Sequence, residues 1–503
     1  MGGLINNSSN TRKIVNGSTS CRVVVIHYIR QEDENSLDTE VVEIGGNSKH
    51  NALLNFTYQK NIAFPYGQFN LTLANDRDYY QLISPGDWIA IYLTNGTQNR
   101  LVEGTESMRC LGNVGRIHKK ISVANDGTKT TLWQISGADW GKFFHTVQIV
   151  VNSQLVEDQI HNISIVGQKD LVKGSSSTLV EGFVEYFLKS KPAPQGMGLD
   201  AIYKKIVMVP DKLLTYFFGD IDIDEPDLFY NILGKQITDN SAYEKTYNFT
   251  LNTLVPLWTV LKTVSNRVVN ELFLEMRYET STNGITAIER PTIFHRPYPF
   301  ALPDCKDTTI YNNQFGDLDF VDISTADIIE SGLGMSDIER KNYFFIRSNM
   351  TGSPLGESMG LSPVYNEYSL QRYGPHIYWP STDMVDHGVG GIKVLKGWID
   401  LVYHWYSRNH IFESGTMTIN GNPGIRVGKR LDVTGFYEDK NWMNSYYIEG
   451  YTDQWQFPGF WTQSVRVSRG LASNGQQWGS IYSANQSFNR KETRSVKKLG
   501  TSR

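Results

Sequence analysis

Apolar and polar residues alternate in short runs toward both ends of the chain, the pattern of half-buried strands, and the spacing turns helical at three places in between. Cys21–Ile29 is nearly continuous in apolar residues and predicts a buried strand. Phe69, Leu71 and Leu73 alternate with Asn70 and Thr72. Ser84-Pro85-Gly86-Asp87 has turn composition, and Trp88–Leu93 follows it as a strand. Residues 111–122 and 130–136 predict a strand pair joined through Asn125-Asp126-Gly127. Strand signals return after residue 412. Met417 and Ile419 alternate with Thr416 and Thr418, and Asn420-Gly421-Asn422-Pro423-Gly424 reads as a turn. Ile425, Val427, Leu431 and Val433 then give a return strand with a bend at Gly428, so 412–433 predicts one hairpin. A second hairpin is expected over 444–470, turning at Pro458-Gly459. In it Trp461, Gln463, Val465 and Val467 alternate with Thr462, Ser464, Arg466 and Ser468.

The first helix is expected over 178–189, with Leu179, Phe183, Phe187 and Leu188 behind a capping cluster at Ser175–Thr178. The second is expected over 253–268, with Pro256 in its first turn and Leu257, Val260, Leu261 and Val264 on one stripe. The third covers 392–408 and turns Val394, Leu395, Trp398, Leu401, Val402 and Trp405 inward. A strand pair at 272–278 and 290–299 lies between the last two helices. These signals divide the chain. Residues 1–20 are expected to form a polar, flexible arm, 21–145 a first β domain, and 146–317 a middle α+β domain. A second barrel with its helix takes 318–348 and 391–470, around a Gly-, Ser- and Pro-rich insertion loop at 349–390. Residues 471–503 form an extended basic tail, too poor in apolar residues to fold alone. The expected fold class is mainly β with an α+β middle region.

Composition narrows the function. With 503 residues, 40% of them hydrophobic, the chain can build several cores, in about three or four domains. A net charge of −4 gives no global basic field, so no specific nucleic-acid partner is expected. An aromatic content of 12% suits strands and subunit contacts. Cys21, Cys110 and Cys305 lie far apart without metal-ligand spacing, and so sparse a set fits folding in a reducing cytoplasm. No signal peptide is expected at Met1–Ser8, and no apolar run reaches the length of a membrane helix. The Asn-x-Ser/Thr triplets at Asn55, Asn70 and Asn248 are read as chance.

Candidate chemistry is thin. Asp220, Asp222 and Asp224 open like a calcium loop, but the sixth position is Glu225 where glycine is needed and the twelfth is Asn231 where glutamate is needed. The run to Asp227 reads as a solvated acidic loop, with a weak cation site as the alternative. His404 and His410 lie six apart, on different helical faces. Asp383, Asp386 and His387 sit in a Gly-rich segment and read as solvated more readily than as ligands. No nucleophile elbow, Walker loop or dinucleotide fingerprint stands out, and Gly332-Leu333-Gly334 opens no phosphate loop. Paired glycosidase carboxylates can lie far apart in sequence and leave no local signature. Tyr437, Trp442, Tyr446, Tyr447, Tyr451, Trp455, Phe457, Phe460 and Trp461 are assigned to packing and subunit contact ahead of a sugar platform. The basic stretch from Arg490 is assigned to a solvated or docking arm ahead of DNA contact. No catalytic, cofactor-binding or metal residue is nominated, and the chain is not expected to be an enzyme.

Three phrases carry a resemblance. They are the "NPGIRVGKRLDV" strand followed by "YIEGY" and "GFWTQSVRVSRG", the set "SPGDWIAIY", "GNVGRIHKK" and "TLWQISGADW", and "PTIFHRP" after the second helix. Together they resemble the baseplate hub proteins of contractile-tailed bacteriophages, and the hub part of type VI secretion spike proteins. The resemblance implies two tube-protein-like antiparallel β-barrels in each chain. A homotrimer would present six barrels, adapting a sixfold tail tube to a threefold central spike. Implied partners are the tail tube or a tube-initiator protein, the spike, and the baseplate wedge proteins, with neither cofactor nor membrane. The implied location is the virion, in a tail baseplate assembled in the host cytoplasm. The 349–390 insertion departs from compact hubs. A β-rich carbohydrate-binding adhesin and a cell-wall hydrolase remain as alternatives, and the three helices weigh against the adhesin.

Overall fold

The computed structural model describes residues 19–30, 37–45, 52–94, 107–123, 127, 129–150, 173–188, 233–238, 246–247, 254–280, 287–300, 315, 318–348, 362–382, 389–435, 443–471 and 496–498. Seven strands come first: β1 (Ser20–Arg30), β2 (Leu37–Gly45), β3 (Leu53–Asn61), β4 (Gln68–Ala74), β5 (Trp88–Thr94), β6 (Ser107–Val123) and β7 (Lys129–Asp139). All pair antiparallel, in the order β3-β4-β7-β6-β5-β1-β2. The turn before β5 forms as its composition predicts. The Ser84 N–H donates to the Asp87 carboxylate at 2.7 Å, and Gly86 supplies a φ of +102°. Sequence periodicity did not reveal β2 and β3. In β3 a register shift between Leu53 and Asn55 breaks the alternation, and the inward position near its end is a charged residue, Lys60.

The middle region holds α1 (Lys142–Thr146), β8 (Gln148–Val150), β9 (Lys173–Gly174), α2 (Ser176–Leu188), β10 (Gly234–Ile237), β11 (Thr246–Tyr247), β12 (Leu254–Pro256), α3 (Leu257–Val264), β13 (Asn270–Thr280) and β14 (Ala287–Pro297). Ser175 caps α2 as expected, its Oγ accepting from the Thr178 N–H at 3.2 Å. Helix α3 is shorter than 253–268. Pro256 stays extended ahead of it, and two residues beyond its end Asn266 takes a left-handed φ of 51°. Its stripe of Leu257, Val260, Leu261 and Val264 is fully buried. Strands β13 and β14 form a long antiparallel hairpin, with β10 parallel to β14.

The remaining elements are β15 (Phe320–Ser324), β16 (Ile328–Gly334), β17 (Tyr343–Phe344), β18 (Arg347–Ser348), β19 (Val364–Asn366), α4 (Glu367–Tyr373), β20 (Ile377–Tyr378), β21 (Ser381–Thr382), α5 (Val389–Tyr406), β22 (Phe412–Asn420), β23 (Arg430–Thr434), β24 (Met443–Gln456), β25 (Phe460–Leu471) and β26 (Val496–Lys498). The β24–β25 hairpin forms as predicted and turns at Pro458-Gly459. The 412–433 hairpin does not form. β22 lies between β16 and β25, while β23 pairs with β24 and, in parallel, with β15. The Ile425 carbonyl accepts from Arg109 of β6, Arg426 pairs with Glu289 of β14, and the Val427 N–H donates to Glu275 of β13, so the segment crosses to β23 instead of pairing back on β22. Gly421 and Gly428 belong to this crossing. A Cβ on Gly421 would lie 2.1 Å from the Trp461 ring, and Gly428 takes φ +78° against the Phe273 ring.

Strand β24 joins the two halves. Met443–Tyr447 pairs with β23, whereas Gly450–Gln456 pairs with β3, and one 13-stranded sheet results. The fold is thus mainly β with helices packed beside it. A continuous core runs through both halves, from Val23, Phe56 and Trp133 to Ile419, Tyr451 and Val465. A second core packs Ile26 and Ala90 against α2, α3 and β13, and a third surrounds Trp398 and Trp405 of α5. Part of the segment read as an insertion loop carries β19, α4, β20 and β21. There β19 pairs with β17 and also with β26 from the C-terminal tail. Among the described residues, no helix is long and apolar enough to cross a membrane.

Candidate assembly interface

Charged side chains sit inside this β structure where its parts meet. Arg109 on β6 is fully buried, and its Nε donates to Asp453 Oδ2 on β24 at 2.8 Å. Its two Nη atoms donate to the Pro423 and Ile425 carbonyls at 3.0 Å, and its guanidinium lies 4.7 Å from the Tyr451 ring centre. The other oxygen of Asp453 accepts from Trp461 Nε1 and Gln463 Nε2. Each nitrogen of Arg109 and each carboxylate oxygen of Asp453 has a hydrogen-bond partner, which a buried ion pair requires if it is not to destabilise the fold.

Arg426, in the crossing segment, pairs with Glu289 of β14 at 2.9 Å and also reaches Ser107 Oγ and the Met108 carbonyl of β6. Glu289 in turn accepts from the Met108 N–H. Burial alone would lower the pKa of Arg426, but Tyr451, Glu289 and Glu275 hold it well above the ordinary arginine value. Glu275 of β13 accepts from the Val427 N–H at 3.0 Å and from the Tyr451 hydroxyl at 3.3 Å. Burial, and then the Glu275 charge, push that phenol up. Arg296 of β14 binds Glu271 of β13 at 2.5 Å and the Gly428 carbonyl at 2.6 Å. One ionic network therefore ties the first half, the middle hairpin and the second half together. The first half also has a cluster of its own, with Lys60 and the Tyr58 hydroxyl both on Asp139, at 2.6 and 2.8 Å. These groups bind one another. The arrangement fixes the angle between the two halves of the sheet.

The outer surface offers strand edges. An eleven-strand path through the sheet ends at β2 and at β16, and each end strand has a neighbour on one side, as does β15, which lies off this path and pairs with β23. Ile329 on β16 is 53% exposed, and Phe320, Met335 and Ile338 nearby in sequence are also exposed. Strands β6 and β7 stay paired as far as Val123↔Lys129, where Ile121 and Val123 are exposed beside Lys119 and Lys120.

The residues singled out in the sequence fall into three groups. Tyr446, Tyr447, Tyr451, Trp455 and Trp461 are buried, so they pack, whereas Phe457 and Phe460 are exposed. His404 lies on α5, and His410 just beyond it is pushed down to about 4 by burial and the nearby Arg340. Tyr437, Trp442, Asp220–Asp227, Asp383, Asp386 and His387 lie outside the described residues. Among the described residues, no group of three or more His, Cys, Asp or Glu is placed to hold a metal ion. The ionic network escaped the sequence reading, although one signal was present. Glu275 interrupts the otherwise apolar run Leu272–Met276, where an inward charge demands a partner.

No protein-family model matches the chain, and no curated protein matches it. Among solved structures, it is similar to a tail protein from Neisseria meningitidis MC58, at 9% identity and a TM-score of 0.44 over 90% of this chain and 96% of that one. It is similar to the 43 kDa tail protein of prophage MuSo2 from Shewanella oneidensis, at 12% identity and a TM-score of 0.43 over 89% and 98% of the two chains. It is also similar to an E. coli type VI secretion component, at 6% identity and a TM-score of 0.33 over 84% and 74%.

Proposed function

We propose that the chain is a structural subunit of a phage-type tail baseplate, a homotrimeric central hub that adapts a sixfold tail tube to a threefold spike. The observation that carries this reading is the edge-to-edge junction of β24 with β3, which fuses two β halves of one polypeptide into a single sheet. The same kind of junction can be repeated between chains. One end strand of the path, β16, can meet the other end strand, β2, of the next copy. Such a contact is heterologous and closes into a ring when the rotation per chain is a third of a turn. Three chains then present six halves, and the β16 and β2 edges are covered. The buried ion pairs supply the rigidity that an adaptor needs. The proposed partners are the tail tube or a tube-initiator protein, the central spike and the wedge proteins, and the proposed location is the virion baseplate. The proposed role requires no catalytic step.

Light scattering of the purified chain tests the reading. The expected species has three times the 57.1 kDa of one chain and gains mass when spike protein is added. A monomer that persists at high concentration and ignores the spike overturns it.

A further inference from the structure

A cavity of about 660 Å³ opens where α3, the β13–β14 hairpin, β22 and β25 converge. Its floor is aromatic, with Tyr298 stacked on Phe300 at 5.6 Å. Its charges do not balance. Glu271 is saturated by Arg296 and by the Tyr447 hydroxyl. Glu449 is held by Arg466 at 3.2 Å, and Arg469 stacks 3.6 Å over Phe300 and donates to the Trp405 carbonyl. Two cations remain. Lys262 spends one of its three N–H groups on the Ala63 carbonyl at 2.6 Å, and Arg267 makes no ion pair among the described residues. Burial, and then Arg267, push the Lys262 ammonium below its ordinary value. The Tyr298 hydroxyl lines the same space without a hydrogen-bond partner among the described residues. The remaining carboxylate, Glu339, is solvent-exposed.

Backbone strain marks the same place. Among the described residues, two that are not glycine take a left-handed φ: Arg469, at 60°, lines the cavity, and Asn266, at 51°, precedes Arg267. Such residues concentrate at ligand sites.

We propose that this cleft binds an acidic peptide segment of a partner protein, with a carboxylate held between Lys262 and Arg267. A bare inorganic anion satisfies the cations but leaves most of a cavity of this size unfilled, which suits a larger ligand. A peptide supplies a carboxylate for the two cations and further chain to fill the rest, along the half-buried Tyr298. None of the charged residues argued from is assigned to the subunit contact, so peptide binding holds or fails apart from the hub reading.

Fluorescence anisotropy of a labelled peptide alternating Glu and Ala, titrated with the full chain, tests it. Arg267→Ala should weaken binding by about tenfold, the loss of one charge-assisted contact. Arg267→Lys should restore most of that loss. Glu339→Gln should tighten binding about twofold to threefold by removing a screened repulsion, a gain that misfolding cannot mimic. The Gln–Ala peptide should not bind, and inorganic phosphate should not displace the acidic one. Equal binding of the Gln–Ala peptide, an unchanged affinity in Arg267→Ala, or displacement by phosphate alone would each overturn the proposal. Light scattering of the same samples reads the oligomeric state separately.

Discussion

The two halves of the sheet reach the same kind of core by different routes. In the first, β1 to β7 are consecutive in sequence and pair antiparallel throughout, and the buried ion pair Lys60–Asp139 stays within the half. In the second, α4, α5 and the short strands β17 to β21 intervene between β16 and β22. A parallel ladder joins β15 to β23, and the buried charges reach outward, Asp453 to Arg109 and Arg426 to Glu289. Four of the six pairings in the first half join strands adjacent in sequence, and the other two, β1–β5 and β4–β7, stay within the half. The second half depends on long-range partners and takes part of its internal charge balance from its neighbours. That difference makes the second half the place where damage should spread.

The largest expected effect follows directly. Asp453→Ala leaves the Arg109 guanidinium fully buried without its carboxylate and should cost about 3–5 kcal/mol in denaturant unfolding. Because the pair spans both halves, the variant should still unfold in a single transition. Two separated transitions, with the first half persisting, would show that the halves are energetically independent. Replacing both partners by apolar residues of similar size should cost less than Asp453→Ala alone.

The hairpin shared by the halves gives the next effect. His295 on β14 is fully buried, with Nε2 facing the Ser265 carbonyl at 3.3 Å, and burial pushes its imidazole down to about 4. The folded chain therefore keeps this ring neutral where an unfolded histidine takes a proton, and protons favour unfolding. Its contribution is complete above about pH 6.5 and falls away as pH drops toward 4, by at most about 3 kcal/mol. Urea titrations across that range should show the decline, and His295→Gln should flatten it. An equally steep slope in the variant would assign the decline to other groups.

Glycines separate the halves more finely. Gly127, in the β6–β7 loop, has φ +79° and open space around it, so Gly127→Ala should cost only about 1 kcal/mol of backbone strain. Gly428, in the crossing segment, has nearly the same φ, but a Cβ there would lie 2.4 Å from the Phe273 ring. Gly428→Ala adds overpacking to the same strain and should cost a further 1–3 kcal/mol or so. Equal costs in thermal melts would mean that the crossing repacks freely.

The same contrast explains what the sequence disclosed. Continuous apolar runs located β1 and β5, which are buried on both faces, and periodicity bounded by Gly, Pro or Asn-Asp turns located β4, β6, β7 and the β24–β25 hairpin. It overlooked β3, whose register shift and inward Lys60 disguise the period. It found the strands of 412–433 yet paired them wrongly, since alternation tells which side is buried and says nothing about which strand lies alongside. Arg109, Arg426 and Asp453 stayed hidden for a related reason. Each is stabilised by a partner far away in sequence, and composition does not record such a distance.

The smallest effect on stability bears most on assembly. Ile329 is exposed on β16, the free end of the second half, and Ile121 is exposed on the long hairpin of the first. Ile329→Lys and Ile121→Lys should each change monomer stability by less than about 0.5 kcal/mol, as surface changes do. They should differ in oligomeric state. If β16 meets the edge of the next chain, a lysine there places a charge in a contact that must exclude water, and light scattering should show trimers giving way to monomers at low concentration. Ile121→Lys leaves that edge intact and should leave the trimer in place. The opposite ranking would move the subunit contact from the free edge of the second half to the hairpin of the first.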